Sequence, residues 1–271
     1  MTQLYSASRN TALAQRPNSR YSVKAVDKAL RILESIGTDP EQVGLAELSR
    51  RLGIEKSTLY RLLETLEARR FVRKDPSSLR YALGIRMVEL GTAATARSAL
   101  GRAAGPVLDR LMLRSRQTVN LAVLDGEEIL YIAKREPPEP LRVTVEVGRR
   151  VPAHATALGK VMLAFRPPGE LQQLFSQRKQ LVRFTPNTIT SPRKLMDHLK
   201  EVRRVGIALD AEELVLGARC LAAPVLDSSG CAVAAISIAA PAAALGEKRA
   251  RELCPLVVAG AAEITKVLIG T

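Results

Sequence analysis

The sequence predicts an α+β chain of two domains, an N-terminal winged helix-turn-helix and a larger domain built on an antiparallel sheet. Three observations carry that prediction. Residues 44–68 hold two short helical patterns separated by Gly53, and a basic β-like hairpin follows at once. From Gln117 onward the apolar period changes from that of a helix to that of a strand, with turn residues between the runs. At 271 residues and 46% hydrophobic composition, the chain is long enough for two cores of ordinary size.

Taken in order, residues 1–20 are polar and aperiodic, with Arg9, Arg16, Pro17 and Arg20, and read as a disordered basic arm. Ser22 is the candidate N-cap of a first helix running to about Ile36. Its apolar face is Val26, Ala29, Leu30, Leu33 and Ile36, and Thr38-Asp39-Pro40 breaks it. A second helix ends at Gly53, whose missing Cβ suits the left-handed residue that closes a helix. The third begins near Lys56, with Leu59, Leu62, Leu63 and Leu66 at i, i+3, i+4 and i+7. Its other face carries Ser57, Tyr60, Arg61 and Glu64. Residues 71–74 and 80–83 then flank the turn-rich 75–79, a hairpin with basic residues on both arms. The first domain is therefore assigned to residues 21–84.

Residues 85–103 form a linking helical pattern, with Ile85, Val88 and Leu90 followed by alanines, Arg97 and Arg102, and are able to carry a dimer contact. Pro106 stands where a new helix can start, running to about Arg116. The second domain is assigned to residues 104–271. In it Val119, Leu121 and Val123 alternate with Asn120, Ala122 and Leu124, and Asp125-Gly126 turns the chain into a strand at 129–133. A third strand is expected at 141–147, after a proline-rich interruption. A helix opens within 148–160 and runs to about Phe165. Another runs from Ser191, with Pro192 near its first position, to Arg204, and Gly206 stops it. Residues 207–209, 220–226 and 231–239 are strand-like, and a last helix covers about 246–269.

The formal net charge of +14 and a pI near 10.2 favour a polyanionic partner, since each neutralised phosphate releases condensed counterion. The excess is shared by both domains, so charge alone does not locate the site. A membrane partner is not expected: Trp is absent, no amphipathic helix has aromatic anchors, and no apolar run reaches the length of a span. The N-terminus lacks the apolar core of a signal peptide. Cys220, Cys231 and Cys254 are odd in number and widely spaced, which gives no disulfide framework and points to reduced, cytoplasmic thiols.

Catalytic motifs fail on inspection. Gly159-Lys160 has the ending of a phosphate loop, but His154 stands where the first glycine belongs and Val161 replaces the Ser/Thr. Ser191-Pro192-Arg193-Lys194 fits Ser-x-x-Lys without its companion motifs, and a helix start explains it. Two histidines and three scattered cysteines give no zinc spacing. No catalytic role, metal or cofactor is expected.

For DNA, the candidates on the third helix are Lys56, Ser57, Thr58, Tyr60 and Arg61. Ser57 and Thr58 fall in the first turn, where hydroxyls and free backbone N–H groups meet phosphate. Tyr60 and Arg61 lie further along, where base edges are read, Arg preferring guanine. Tyr60 has a second reading as packing against the wing. Arg73, Lys74 and Arg80 are candidates for phosphate or minor-groove contact, against the alternative of a solvated basic hairpin. In the second domain Ala155, Thr156, Ala157 and Leu158 are placed at a helix N-terminus, where free N–H groups and the dipole favour a carboxylate.

The chain resembles the IclR (isocitrate lyase regulator) family of bacterial transcriptional regulators, from Ser22 to the C-terminus. The resemblance rests on residues 22–34 and on Lys56-Ser57-Thr58 through Arg61-Leu62-Leu63. Arg80-Tyr81-Ala82-Leu83-Gly84 continues it, followed by residues 119–123, 154–160, 202–206 and 217–224 in that order. It implies a GAF/PAS-like effector-binding domain, a homodimer or dimer of dimers, a double-stranded DNA operator and a small carboxylate effector. It also implies that Asp210, Cys220 and Ser237 line the effector pocket. Each has an alternative: a solvated turn residue, a buried small hydrophobe, a strand hydroxyl bonded to backbone. A pocket hydroxyl often seen two residues after Ser237 is Ala239 here, which implies a less polar ligand or a different anchor. The competing reading is a ligand-independent architectural nucleic-acid binder whose second domain only oligomerises.

Overall fold

The first three helices are those the apolar spacing calls for: α1 (Lys24–Gly37), α2 (Leu45–Leu52) and α3 (Lys56–Ala68). They belong to a computed structural model that describes residues 23–39, 41–139, 142–175 and 178–270. The basic arm of residues 1–20 and the Ser22 cap lie outside the described residues. Two units are present, Met1–Ala94 and Thr95–Thr271, each with its own contacts.

In the first unit Gly53 closes α2 with φ +65°, and the core gathers Ile32, Ile36, Leu48, Leu59, Leu63, Val72 and Tyr81. The expected face of α1 is corrected. Val26 and Leu30 are 55% and 54% exposed, while Ile32 is buried. Two stripes of helical period overlap here, and the one holding both isoleucines (Ala29, Ile32, Leu33, Ile36) turns inward because it buries more apolar surface. The wing is β1 (Val72–Lys74) paired antiparallel with β2 (Tyr81–Leu83). Asp75 organises its tip, its Oδ1 accepting from the N–H groups of Ser77 and Ser78 at 3.0 and 2.8 Å.

The linking helix is also shorter than expected. Helix α4 (Ile85–Arg97) stops where Ser98 caps α5 (Ala99–Ser115), its hydroxyl accepting from Gly101 N–H at 2.9 Å. Pro106 therefore lies inside α5 rather than at a helix start. It removes one backbone bond, yet the helix continues because Ala103, Ala104, Val107, Leu108 and Leu111 bury its inner face. The division between the two units falls within α4, inside the linking stretch 85–103.

The second unit carries one six-stranded antiparallel sheet in the order β5-β4-β3-β8-β7-β6. Its strands are β3 (Thr118–Asp125), β4 (Glu128–Arg135), β5 (Arg150–Pro152), β6 (Ala208–Ala211), β7 (Ala218–Leu226) and β8 (Ala232–Pro241). The strand expected at 141–147 is absent from its described residues, 142–147. The chain rejoins β4 only around Gly148, which has φ +89° and donates to Tyr131 O at 2.8 Å. One face, with Val119, Leu121, Leu221, Ile236 and Ile238, packs under α5 and α9 (Glu247–Ile269). The other, with Ala122, Ala222, Ala235 and Ala208, lies under α6 (Ala157–Ala164), against which α8 (Pro192–Val205) packs. Helix α7 (Pro168–Phe175) was not foreseen.

Candidate functional site

Helix α3 presents its polar face outward because Leu59 and Leu63 are fully buried beneath it. Lys56, Ser57, Tyr60 and Arg61 are exposed and Thr58 is half-buried. Lys56, Arg61 and the wing's Arg73 have no ion-pair partner among the described residues. Tyr60 meets the wing: Lys74 Nζ sits 5.9 Å from its ring centre and 5.6 Å from that of Tyr81. A hydrogen bond to Glu64 raises its phenol above the usual range. Arg80 is tied to its own domain, donating from Nε to Gln42 O at 2.6 Å and lying 3.8 Å from Glu47. That leaves Arg73 as the wing cation with the fewest internal commitments.

Glu55 is a residue that the sequence reading missed. It is the N-cap of α3, and its carboxylate accepts from Ser57 Oγ at 2.5 Å and from Thr58 Oγ1 at 3.5 Å. The bond from Ser57 holds its pKa below the ordinary carboxylate value. The two hydroxyls expected to meet phosphate are thus turned toward an anion that already occupies the helix end. The residue type of Glu55 gave no signal, since Glu is not a favoured N-cap and its side chain makes no cap bond to the helix backbone.

In the second unit the predicted residues converge on the α6 face of the sheet. Strand register sets Asp210 opposite Cys220, Cys220 opposite Ala239, and Ala239 opposite Thr118. Ser237 lies opposite Asn120 one step along, on the same face. Ala155, Thr156, Ala157 and Leu158 are all buried above it. Thr156 caps α6, its Oγ1 accepting from Gly159 N–H at 2.9 Å. The N–H groups of Ala157 and Leu158 then have no acceptor within the helix. Gly159 is required here, since a Cβ would stand 2.2 Å from Ala153 O.

Electrostatics bind this end of α6 to β6. Lys160 is 0% exposed; its Nζ donates to Leu209 O at 2.6 Å and to the carboxylate of Glu213. Asp210 accepts from Glu213 N–H at 2.7 Å, and burial raises its pKa from 3.8 to about 7. Burial, and then the charge of Asp210, push the Cys220 thiol well above its ordinary range, so it is neutral. His154 is buried and its Nε2 lies 2.9 Å from Val182 O, a structural contact. Glu213 and Thr118 were not singled out from the sequence, and Lys160 and Asn120 were noted there without being assigned to this site. A lone lysine inside the apolar run 157–164, and Asn120 on the inward phase of β3, were the available signals.

Comparisons with known proteins agree with this fold. The family model described as "IclR helix-turn-helix domain" matches residues 25–76, and that described as "Bacterial transcriptional regulator IclR C-terminal" matches residues 92–266. The HTH-type transcriptional regulator KdgR of Escherichia coli is 35% identical over 256 residues, covering 94% of this chain and 95% of that protein. The crystal structure of the Thermotoga maritima IclR superposes with a TM-score of 0.73 at 32% identity, over 90% of this chain and 98% of that one. An IclR homolog from Microbacterium hydrocarbonoxydans, solved with 4-hydroxybenzoate, shares the fold at 24% identity, with a TM-score of 0.79 over 91% and 100% of the two chains.

Proposed function

This chain belongs to the IclR family of bacterial transcriptional regulators, and we propose that it is a dimeric regulator whose hold on DNA is gated by a small organic carboxylate. The observation that carries the reading is the pairing of two kinds of surface in one chain. One is an outward cationic helix and wing; the other is a buried polar row beneath a helix N-terminus. Lys56, Ser57, Thr58, Tyr60 and Arg61 are assigned to the major groove of an operator, with Arg73, Lys74 and Arg80 alongside the backbone. The N–H groups of Ala157 and Leu158 are assigned to the carboxylate, and Asp210, Cys220 and Ser237 to the rest of the ligand. A fold relative holds 4-hydroxybenzoate, an organic carboxylate.

Apolar side chains left outward at Val23, on α1 (Val26, Leu30) and at the start of α4 (Ile85, Val88) support assembly with a second copy, as a homodimer or a dimer of dimers. The ligand acts by favouring one arrangement of the paired DNA-binding units over another. A thermal-shift screen of aromatic and short-chain carboxylates, followed by gel shifts with and without each hit, tests the proposal. A hit stabilises by about 2.7 kcal/mol at a hundredfold excess over its Kd and changes operator affinity. No stabilising acid, with DNA binding indifferent to all of them, would favour a ligand-independent architectural binder.

A further inference from the structure

Among the described residues, Arg70, Leu79, Arg116 and Glu212 are the side chains other than glycine held at positive φ. Three of them have a local reason. Arg70 and Arg116 stand where α3 and α5 end, the usual place for a left-handed residue. The Glu212 carboxylate accepts from Gly217 N–H at 2.8 Å. Leu79, at φ +55° and 60% exposed, ends no helix and buries little. Glycine would suit that backbone better, so a bulky side chain strained there and left in solvent marks a function rather than a need of the fold.

The turn that carries Leu79 is braced from within. Asp75 Oδ1 accepts from the hydroxyls of Ser77 and Ser78 at 2.6 and 3.1 Å as well as from their N–H groups. Leu79 N–H donates to Asp75 O at 2.9 Å, and Asp75 N–H to Arg80 O at 2.8 Å. Behind the tip, Tyr81 and Val43 exchange backbone bonds, and Arg80 is fixed on Gln42 O. The leucine is therefore aimed. Residues 75–79 also hold no cation, and their one charge is Asp75, whose carboxyl the Ser77 hydroxyl above all holds down at about 2. A loop end with its N–H groups turned onto its own carboxylate has little to offer a phosphate. The cations Arg73, Lys74 and Arg80 stand at its base instead. Cations behind and an apolar point ahead suit an element that passes between two phosphate strands into the groove. We propose that Leu79 is an apolar wedge for the minor groove of the operator, selecting sites whose base step there opens easily, TA or CA/TG. The inference rests on reading the first unit as the DNA-binding head. Helix α3 then reads base edges, and Leu79 reads deformability at a step where no hydrogen bond is made.

Selection of duplexes from random sequence by the full-length chain and by Leu79→Gly, followed by gel-shift titration and urea denaturation, tests it. The wild-type pool is enriched in a TA or CA/TG step at a fixed distance from the half-site, and the Leu79→Gly pool is not. Leu79→Gly binds the wild-type duplex at least about tenfold more weakly. Its salt slope is unchanged, because an apolar contact releases no counterion. Leu79→Met stays within about threefold of the wild type. The urea midpoint of Leu79→Gly is no lower than that of the wild type, since glycine relieves the strained φ. Equal affinity of wild type and Leu79→Gly, or the same step enriched in both pools, overturns the inference and leaves the DNA reading intact. A wild-type pool with no enriched step overturns it too, as does a lowered midpoint, because the leucine is then part of the fold. If the wild type selects no duplex at all, the DNA-binding reading fails together with the inference.

Discussion

The recognition surface of the first unit and the α6 face of the second spend polar side chains in opposite ways. On α3 and the wing, cations stand in solvent, and Lys56, Arg61 and Arg73 are free of ion pairs among the described residues. On the α6 face the polar groups are almost wholly enclosed, and most are bonded to one another. Exposed charge is cheap to keep unpaired and ready for a polyanion of any length. Enclosed charge must be matched atom by atom, which suits a small ligand and makes every omission costly.

Four substitutions press on that contrast, in falling order of effect. Lys160→Met leaves Glu213 buried without its cation and is expected to cost about 3–5 kcal/mol in urea denaturation, whereas Lys160→Met with Glu213→Leu recovers most of it. A single-variant loss under about 1 kcal/mol would mean that the pair is effectively solvated. Asp210→Asn comes next. The folded pKa of about 7 lies above the ordinary 3.8, so the wild-type side chain favours the fold fully below pH 3.8. That contribution declines as pH rises to about 7 and is constant beyond it, a change of no more than about 4 kcal/mol. Denaturation across that window should show a slope in the wild type that the variant lacks, and parallel profiles would refute the assignment.

The remaining two belong to the outer surface. Arg61→Ala should weaken binding to a duplex selected from random sequence by about 1–3 kcal/mol, with non-specific affinity largely spared. Unchanged affinity in a gel-shift titration would remove Arg61 from base reading. Glu55→Gln should raise affinity for random-sequence DNA slightly, and more at low salt, because it removes an anion from the α3 terminus. A fall in affinity for the selected duplex alone would instead give Glu55 a reading role, as an acceptor from cytosine.

What could be read beforehand was whatever local chemistry decides. Helix α8 came with its own punctuation, Ser191 and Pro192 at the start and Gly206 at φ +76° at the end. Strands β3 and β4 were joined by Asp125-Gly126, and the leucines of α3 announced which face it buries. Features settled by distant partners were hidden. The choice between two stripes on α1 depended on the core it meets, and Pro106 was overruled by the packing of α5. The chain between β4 and β5 rejoined the sheet later than its apolar residues suggested. At the candidate effector site the residue types were legible but their neighbours were not. Nothing near Ala239 in sequence shows that Thr118 lies across from it.

The enclosed Lys160–Glu213 pair has a consequence for how such a chain can change over generations. The two positions are 53 residues apart in sequence but act as one unit in the fold. A substitution at either strands the other as a buried charge, so single-step replacement passes through a weakened intermediate, while the paired replacement does not. Variation at these two sites is expected to be inherited jointly, and the step that opens the route is whichever neighbouring change first lets water reach the survivor.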